Sequence, residues 1–382
     1  VDNVNASTEK DANTLKLYKG EAYLLRAFYY FQLTKKFCKA YDPSTAAGTM
    51  GLPLVTKYDI KEKPARSSLE ATYILITDDI KDAKALLTTA GKLGANQLTM
   101  DCITALEARV YLAMHKYAEA ASAADALIAG GKYPLVNTKN AFKAMWHSDE
   151  THETIFQLLT SKPNDLPVTD PNAVNSIFLG YSSATGKYSP DFIPQQWIVD
   201  LYDNADIRRE VYLEKKLINI VATDYTDIYA FNKYPGNPEL FTTNNTNYQH
   251  MPKVFRIAEM HLIKAEGLYM ANYEPGALAA LNVLRTNRGL TALTGLSGAA
   301  LMAEIKNERV RELIGEGTRL DDLKRWGDDC IRKAPQELAV VTKGEDDNEL
   351  VKRAGEDKFV WAIPDNDIRS NPNLKDQQNP GY

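Results

Sequence analysis

The chain has 382 residues, 44% of them hydrophobic and 25% charged, which suits a soluble globular protein of one large domain or two ordinary ones. A net charge of −5 gives no reason to expect nucleic acid or an anionic membrane surface as partner, and no apolar run approaches the length of a membrane span. Cys38, Cys102 and Cys330 are far apart and odd in number, so they read as buried apolar residues or free thiols rather than a disulfide framework.

The first strong helix is predicted over residues 15–38. Its centre, AYLLRAFYYFQL (Ala22 to Leu33), is apolar nearly all round, the mark of a buried helix. Arg26 interrupts that run and needs a carboxylate or backbone carbonyls, from Glu21 or from elsewhere in the chain. A loop from Ala40 to Lys63 contains Gly51-Leu52-Pro53. The next helix runs from Ser67 to Thr89 and starts at Ser67 or Ser68. A helix pair follows, Thr99 to Lys116 and Tyr117 to Ala129, closed by Gly130-Gly131.

A second such pair is predicted at Ile257 to Asn272 and Tyr273 to Arg288. Superposing Tyr117 on Tyr273 matches Leu106 with Leu262, Leu112 with Leu268 and Ala121 with Ala277. Small residues let the two helices approach closely, with a tyrosine wedged at the turn. The pattern resembles the tetratricopeptide repeat. Between the pairs, Lys132 to Met251 is rich in Pro, Asn, Asp, Thr and Tyr. It suggests loops and short strands, with a strand-like run at Thr154 to Leu159 and one helix at Pro194 to Asp203.

The stretch from Glu308 to Gly327, ERVRELIGEGTRLDDLKRWG, joins two helical pieces at a hinge of Gly315 and Gly317. Glu308, Arg309, Arg311 and Glu312 crowd the first piece and are expected to pair as a scaffold. Thr318 is expected to cap the second piece, Asp321 to complete a capping box, and Gly327 to end the helix. The tail holds a short predicted strand at Phe359 to Ile363 and an Asn/Pro-rich end.

No catalytic constellation is specific. His147 and His152 in WHSDETHE do not form His-Glu-x-x-His, and a third zinc ligand is missing. Asp200, Asp203, Asp206 and Glu210 would suit acid–base work on a glycosidic bond or a Ca²⁺ ion. They lack EF-hand spacing, and a helix C-terminal turn explains them as well. No cofactor is called for. The aromatic residues offer more, since 21 Tyr stand against 11 Phe. Aromatic faces stack on sugar rings while Asn, Asp and Arg bond to hydroxyls, a combination that also suits peptide. Tyr41, Tyr181, Tyr188, Tyr225, Tyr229, Tyr248 and Asn245 are the candidate ligand residues, against the plainer alternative that each tyrosine packs under a long loop. Trp146, Trp197, Trp326 and Trp361 sit in apolar contexts and read as core.

Three stretches together resemble the SusD/RagB family of Bacteroidetes outer-membrane nutrient-binding lipoproteins. They are GEAYLLRAFYYFQLTKKF (Gly20 to Phe37) with Gly51-Leu52-Pro53-Leu54-Val55; FRIAEMHLIKAEGLY (Phe255 to Tyr269) leading to LNVLRTNRGL; and Glu308 to Trp326 with the tail residues Phe359 to Pro364, Asn371 to Leu374 and the terminal Asn379-Pro380-Gly381-Tyr382. The resemblance implies a mainly α fold: tetratricopeptide-like helical repeats with an irregular, loop-rich region carrying short strands. It implies a single domain, with a repeat scaffold in residues 1–131 and 252–330 and a ligand side in 132–251 and 331–382. It further implies a surface-exposed, non-catalytic outer-membrane lipoprotein that passes glycans, or less often peptides, to a SusC-like TonB-dependent transporter. Outside the family, a tetratricopeptide interaction scaffold remains the alternative. A lipid anchor is implied by the resemblance alone, because the family's signal peptide and lipidated cysteine precede the first matched helix. Here the chain opens at Val1, compatible with a processed or truncated start. The third motif departs from the family at Leu320-Asp321, where an aromatic pair is usual, and at Gly315 and Thr318, where larger residues are usual.

Overall fold

Helix α1 (Glu9–Phe37) starts where the Thr8 hydroxyl accepts a hydrogen bond from the Asp11 N–H at 3.1 Å, an N-terminal cap. The computed structural model describes residues 8–160, 176–242, 244–340 and 350–382. Leu24, Ala27 and Phe31 of α1 are buried in one core with Leu69, Tyr73, Ile76 and Ile80 of α2 (Leu69–Leu86), and Ser68 is the cap of α2. Arg26 reaches across to α2. Its Nε and Nη2 donate to the two oxygens of Asp79 at 2.7 and 2.6 Å, so the partner is Asp79 and not Glu21. The all-round apolar character of α1 does not mean all-round burial. Tyr18 and Tyr29 are 58% and 60% exposed, because among the described residues α1 packs mainly on α2 and the strand beside it.

Helices α3 (Met100–Ala113) and α4 (Tyr117–Ala129) form the first repeat hairpin. After α5 (Lys139–His147), α6 (Ser176–Leu179), α7 (Gln196–Asp200) and α8 (Arg209–Tyr212), α9 (Ile257–Met270) and α10 (Glu274–Asn287) form the second. The repeat is real, but its register is one residue away from the tyrosine superposition. His115 and Asn272 occupy the same turn position, with φ of 60° and 61°. The turn bonds repeat in step, Lys116 N–H to the Tyr111 carbonyl and Tyr273 N–H to the Leu268 carbonyl. Ala120 therefore matches Ala277, and Tyr273 is 58% exposed instead of wedged. Gly267 of α9 lets α4 approach closely: a Cβ there would lie 2.6 Å from the Tyr117 carbonyl oxygen.

Sheet structure is slight. Strands β1 (Met50–Pro53) and β2 (Arg66–Ser68) pair beside α1, and β3 (Thr154–Gln157) pairs with β10 (Lys253–Arg256). Between them lie β4 (Tyr181–Ser182), β5 (Lys187–Tyr188), β6 (Leu213–Lys215), β7 (Ile218–Ile220), β8 (Thr223–Tyr225) and β9 (Tyr229–Phe231). Strands β4-β5-β7-β8 form one sheet and β6-β9 another. The helix predicted at Pro194 to Asp203 shrinks to the five residues of α7.

Helices α11 (Gly298–Leu313) and α12 (Arg319–Trp326) flank the hinge, where Gly315 and Gly317 take φ of 76° and 73°, values that favour glycine. The expected capping box is absent. Thr318 already has helical φ and ψ (−94°, −21°), so its hydroxyl is not turned back onto the N–H groups; Asp321 instead pairs with Lys35 at 2.9 Å. Gly327, at φ 67°, does end the helix.

The predicted strand at Phe359 to Ile363 is also absent. Phe359 ends a 3₁₀ turn, and the following N–H groups are taken by other partners: Trp361 bonds to the Lys36 carbonyl at 2.8 Å and Ile363 to the Gln378 side chain at 2.8 Å. Arg66 ties the tail down. Its guanidinium donates to the Gly51, Gln377 and Phe37 carbonyls and to Asn379 Oδ1, all within 3.0 Å. Of the tryptophans read as core, Trp146 is 2% exposed, Trp197 and Trp326 are half-buried, and Trp361 is 51% exposed under the Lys36 ammonium. Cys38 and Cys102 are buried free thiols and Cys330 is an exposed one.

Candidate functional site

Four of the seven candidate ligand residues meet in one place. The register pairs Tyr181 with Tyr188, Tyr188 with Ile218, and Ile218 with Tyr225, so these residues form a single row across β4-β5-β7-β8. Directly paired residues project to the same face of a sheet, which puts Tyr181 beside Tyr188, and Tyr225 on the same face beyond Ile218. The Tyr181 and Tyr188 rings are 4.9 Å apart, and the Tyr248 hydroxyl accepts the Tyr181 N–H at 2.7 Å. Ile218, within the row, is buried with Leu179, Ile228 and Tyr248, against which Tyr188 and Tyr225 pack half-buried, while Tyr181 at the edge is 37% exposed. Burial pushes the Tyr188 and Tyr248 hydroxyls above the ordinary phenol value, so both stay neutral donors at physiological pH.

The hairpin joining β7 and β8 turns at Val221 and Ala222, with φ of 45° and 65°. Both values lie in the left-handed region that a two-residue hairpin needs. Val221, 94% exposed, is the apolar tip beside the row.

The other three candidates lie apart from this row. Tyr229 is on β9, flanked by Arg209 and Lys215 at 5.9 and 5.5 Å from its ring. Asn245 is exposed in the loop before Tyr248. Tyr41 is on the helical side, its ring 4.7 Å from that of buried Tyr73.

A second feature was not anticipated. Two clefts of about 790 and 390 Å³ meet at the hinge and share Lys36, Lys253, Arg309, Leu313, Glu316, Gly317, Thr318 and Asp322 as walls. The larger is aromatic, with Phe178, Trp197, Phe231 and Tyr234 around it, and Ile193 links it to the cluster under the tyrosine row. Phe178 and Phe231 meet edge to face at 5.5 Å, and the Lys333 ammonium lies 4.5 Å from the Trp197 ring centre. Sequence gave one clue, the small residues at Gly315 and Thr318 and the missing aromatic pair at Leu320-Asp321. The rest depends on residues far apart in the chain.

The charges of α11 are scaffold, and they are buried. Glu312, fully buried, accepts hydrogen bonds from Arg256 (2.8 Å), Arg288 (3.0 Å) and Arg208 (3.0 Å). Arg288 also grips both oxygens of Glu153 at 2.8 and 2.9 Å, and Arg208 grips Asp206 and Glu308 at 2.7 Å each. Burial acts to raise the Glu312 carboxyl, but Arg288, Arg256 and Arg208 outweigh it and hold the group well below the usual carboxylate range. Lys233, buried over the Trp146 and Tyr212 rings at 4.1 and 4.2 Å, is pushed down to about 8 by desolvation, an effect that Glu316 partly offsets. These pairs lock the loop-rich middle onto α11.

Asp206 belongs to this network, so the acidic group after Trp197 does not act as a unit. His147 lies within hydrogen-bonding distance of the Val211 and Asn232 carbonyls, and burial lowers its pKa. Among the described residues no group of His, Cys, Asp and Glu is arranged to hold a metal, and no helix is long and apolar enough to cross a membrane.

The arrangement defines a class: a helical, tetratricopeptide-like scaffold that clamps a loop-rich side presenting aromatic rings. A model of the SusD family matches residues 217–382, and a model for starch-binding proteins associating with the outer membrane, SusD-like, matches residues 1–112. A SusD superfamily protein from Bacteroides thetaiotaomicron superposes over 99% of this chain and 80% of its own, with a TM-score of 0.81 and 24% identity. A SusD-like carbohydrate binding protein from Bacteroides vulgatus covers 97% of this chain and 78% of its own, with a TM-score of 0.75 and 21% identity. Surface glycan-binding protein A from Bacteroides fluxus covers 100% and 81%, with a TM-score of 0.67 and 24% identity. A SusD-like protein from Formosa agariphila is 24% identical over 96% of this chain and 74% of its own. The chain belongs to the SusD/RagB family, whose members are binding proteins and not enzymes.

Proposed function

We propose that this protein captures oligosaccharides or polysaccharides at the outer membrane, as a surface-exposed lipoprotein, and delivers them to a SusC-like TonB-dependent transporter. The whole chain acts as one unit, with the repeat scaffold in residues 1–131 and 252–330 and the ligand side in 132–251 and 331–382. The observation that carries the proposal is the row of Tyr181, Tyr188 and Tyr225 on the loop-rich side of a SusD-family scaffold. The adjacent Tyr181 and Tyr188 rings, 4.9 Å apart, suit the apolar faces of a saccharide. Neutral tyrosine hydroxyls supply polar partners, while Lys187, Asn219 and Asp224, one residue along each strand, bond to one another at 2.6 to 2.8 Å on the opposite face. Tyr248 supports the row from below, and Tyr229 and Asn245 are candidate contacts apart from it. Tyr41, away from the row, lines the smaller of the two hinge clefts.

Native affinity electrophoresis through gels carrying a panel of polysaccharides tests this. The expected result is retardation by at least one glycan and its loss in the Tyr181→Ala, Tyr188→Ala double variant. If no polysaccharide retards the protein while peptides shift its tryptophan fluorescence, the ligand class is peptide and the glycan proposal fails.

A further inference from the structure

We propose that the paired clefts at the Gly315–Thr318 hinge form a second saccharide site, distinct from the tyrosine row, that takes a neutral, hydroxyl-rich mono- or disaccharide. This rests on the saccharide reading above and adds a place and a ligand class to it. Volumes of about 790 and 390 Å³ fall in the range of preformed small-ligand sites, which are mostly apolar with a few placed polar groups.

The walls select the ligand. The larger chamber sets Trp197, Phe178, Phe231 and Tyr234 around its space, a surface for the C–H faces of a sugar ring. The shared wall is charged with both signs: Lys36, Lys253 and Arg309 stand beside Glu316 and Asp322. Lys253 is paired with Asp149, Arg309 with Asp322, and Glu316 with Lys233 and Arg256, so the wall offers little net charge to an ionic occupant. An anion would meet Glu316 and Asp322, and a cation would meet the three bases. A neutral polyol answers both signs, because each hydroxyl donates and accepts.

The hydrogen-bond inventory agrees. Arg309 is 4% exposed and holds Asp322 with Nε and Nη2 at 2.9 and 2.8 Å, yet its Nη1 has no hydrogen-bond partner. Asp321, at the border of the smaller chamber, is met by Lys35 Nζ at 2.9 Å, so Arg309 Nη1 is the unmet group at the shared wall. A buried polar group left unmet costs about 1–3 kcal/mol, so a stable protein retains such groups where something else meets them. A buried guanidinium donor left unmet at the shared wall is what a sugar hydroxyl would complete.

The chamber exists because small or aliphatic residues border it. Gly315 leaves space in front of the Tyr234 ring, 3.2 Å from where a Cβ would stand, and Leu320 borders the larger chamber. Enlarging the Leu320 side chain is therefore a way to close the site.

Isothermal titration with maltose, cellobiose, laminaribiose and xylobiose, on the wild type, Leu320→Trp, Trp197→Leu and the Tyr181→Ala, Tyr188→Ala variant, decides the matter. Melting temperatures show that each variant is folded. The expected result is saturable binding of at least one disaccharide, weakened about tenfold or more by Leu320→Trp and by Trp197→Leu, and retained by the double tyrosine variant. Equal affinity in the wild type and a folded Leu320→Trp protein overturns the site. So does disaccharide binding that disappears with the tyrosines instead. Polysaccharide retardation without any disaccharide binding overturns this inference alone, whereas silence toward saccharides of every length overturns the glycan proposal with it.

Discussion

Replacing Glu312 by Gln keeps the shape of the side chain and removes the one charge that three buried arginines share. Arg208, Arg256 and Arg288 are each at most 1% exposed, so none can turn to water when its partner is neutralised. Removing one partner of a buried ion pair costs about 3–5 kcal/mol. Each arginine keeps a second acid, Asp206 or Glu308 for Arg208, Glu316 for Arg256 and Glu153 for Arg288, which places the expected cost at the lower end, about 3 kcal/mol. Unfolding entropy of about 2.1 cal/mol/K per residue gives about 0.8 kcal/mol/K for 382 residues, so Tm should fall by about 4 °C. Calorimetry at neutral pH measures this directly. Glu304→Gln is the control: it bonds Arg285 and Arg311 from the rim with its side chain 22% exposed, and should cost less than about 1 kcal/mol. A Glu312→Gln protein no less stable than the Glu304→Gln protein would refute the view that Glu312 holds the network together.

Gly267→Ala should destabilise by about 1–3 kcal/mol in urea unfolding, because its Cβ would sit 2.6 Å from the Tyr117 carbonyl oxygen and force α4 and α9 apart. Arg66→Ala should free the tail, read as carboxypeptidase trimming and faster amide exchange beyond Phe359 while the helical core stays protected; unchanged exchange there would refute the clamp. The pH profile has a defined sign at both ends. In Glu308, Glu312 and Glu316, burial acts to raise the pKa and the neighbouring cations more than offset it. Their contribution is therefore complete above the unfolded value of about 4.3 and is lost as pH falls through the lower folded values. Lys233 has the opposite case of a depressed base, about 8 when folded. The unfolded chain then holds the extra proton, so stability gains as pH rises from about 8 toward about 10.4, a gain that Lys233→Met should abolish.

Several elements were legible without coordinates because local rules decide them. Helices α2, α3, α4, α9 and α10 follow from apolar spacing, with caps at Ser68 and Thr99 for the first two, and Gly327 stops α12 where a left-handed residue was expected. The repeat was legible too, but its register was not. Tyr117 and Tyr273 look equivalent by type, whereas the turn geometry pairs His115 with Asn272 and leaves Tyr273 in solvent. Thr318 and the Phe359 to Ile363 stretch failed for a related reason: distant partners took the bonds that local patterns would have assigned. Of the candidate ligand residues, composition could group the tyrosines of the middle region, but only strand register could line up Tyr181, Tyr188 and Tyr225, and only tertiary packing could set Tyr41 apart.

By itself the sequence determined the family, the helical repeat class and the search for function in the tyrosine-rich loops, since those depend on motifs and on periodicity within one segment. Tertiary structure decided the rest. Arg26 with Asp79, Arg288 with Glu153, Arg66 with Asn379, and the clefts around Gly315 all join residues from distant segments. Burial turns the charges of α11 from a solvated face into a desolvated lock, because an ion removed from water must find its counter-ion wherever the fold brings one near.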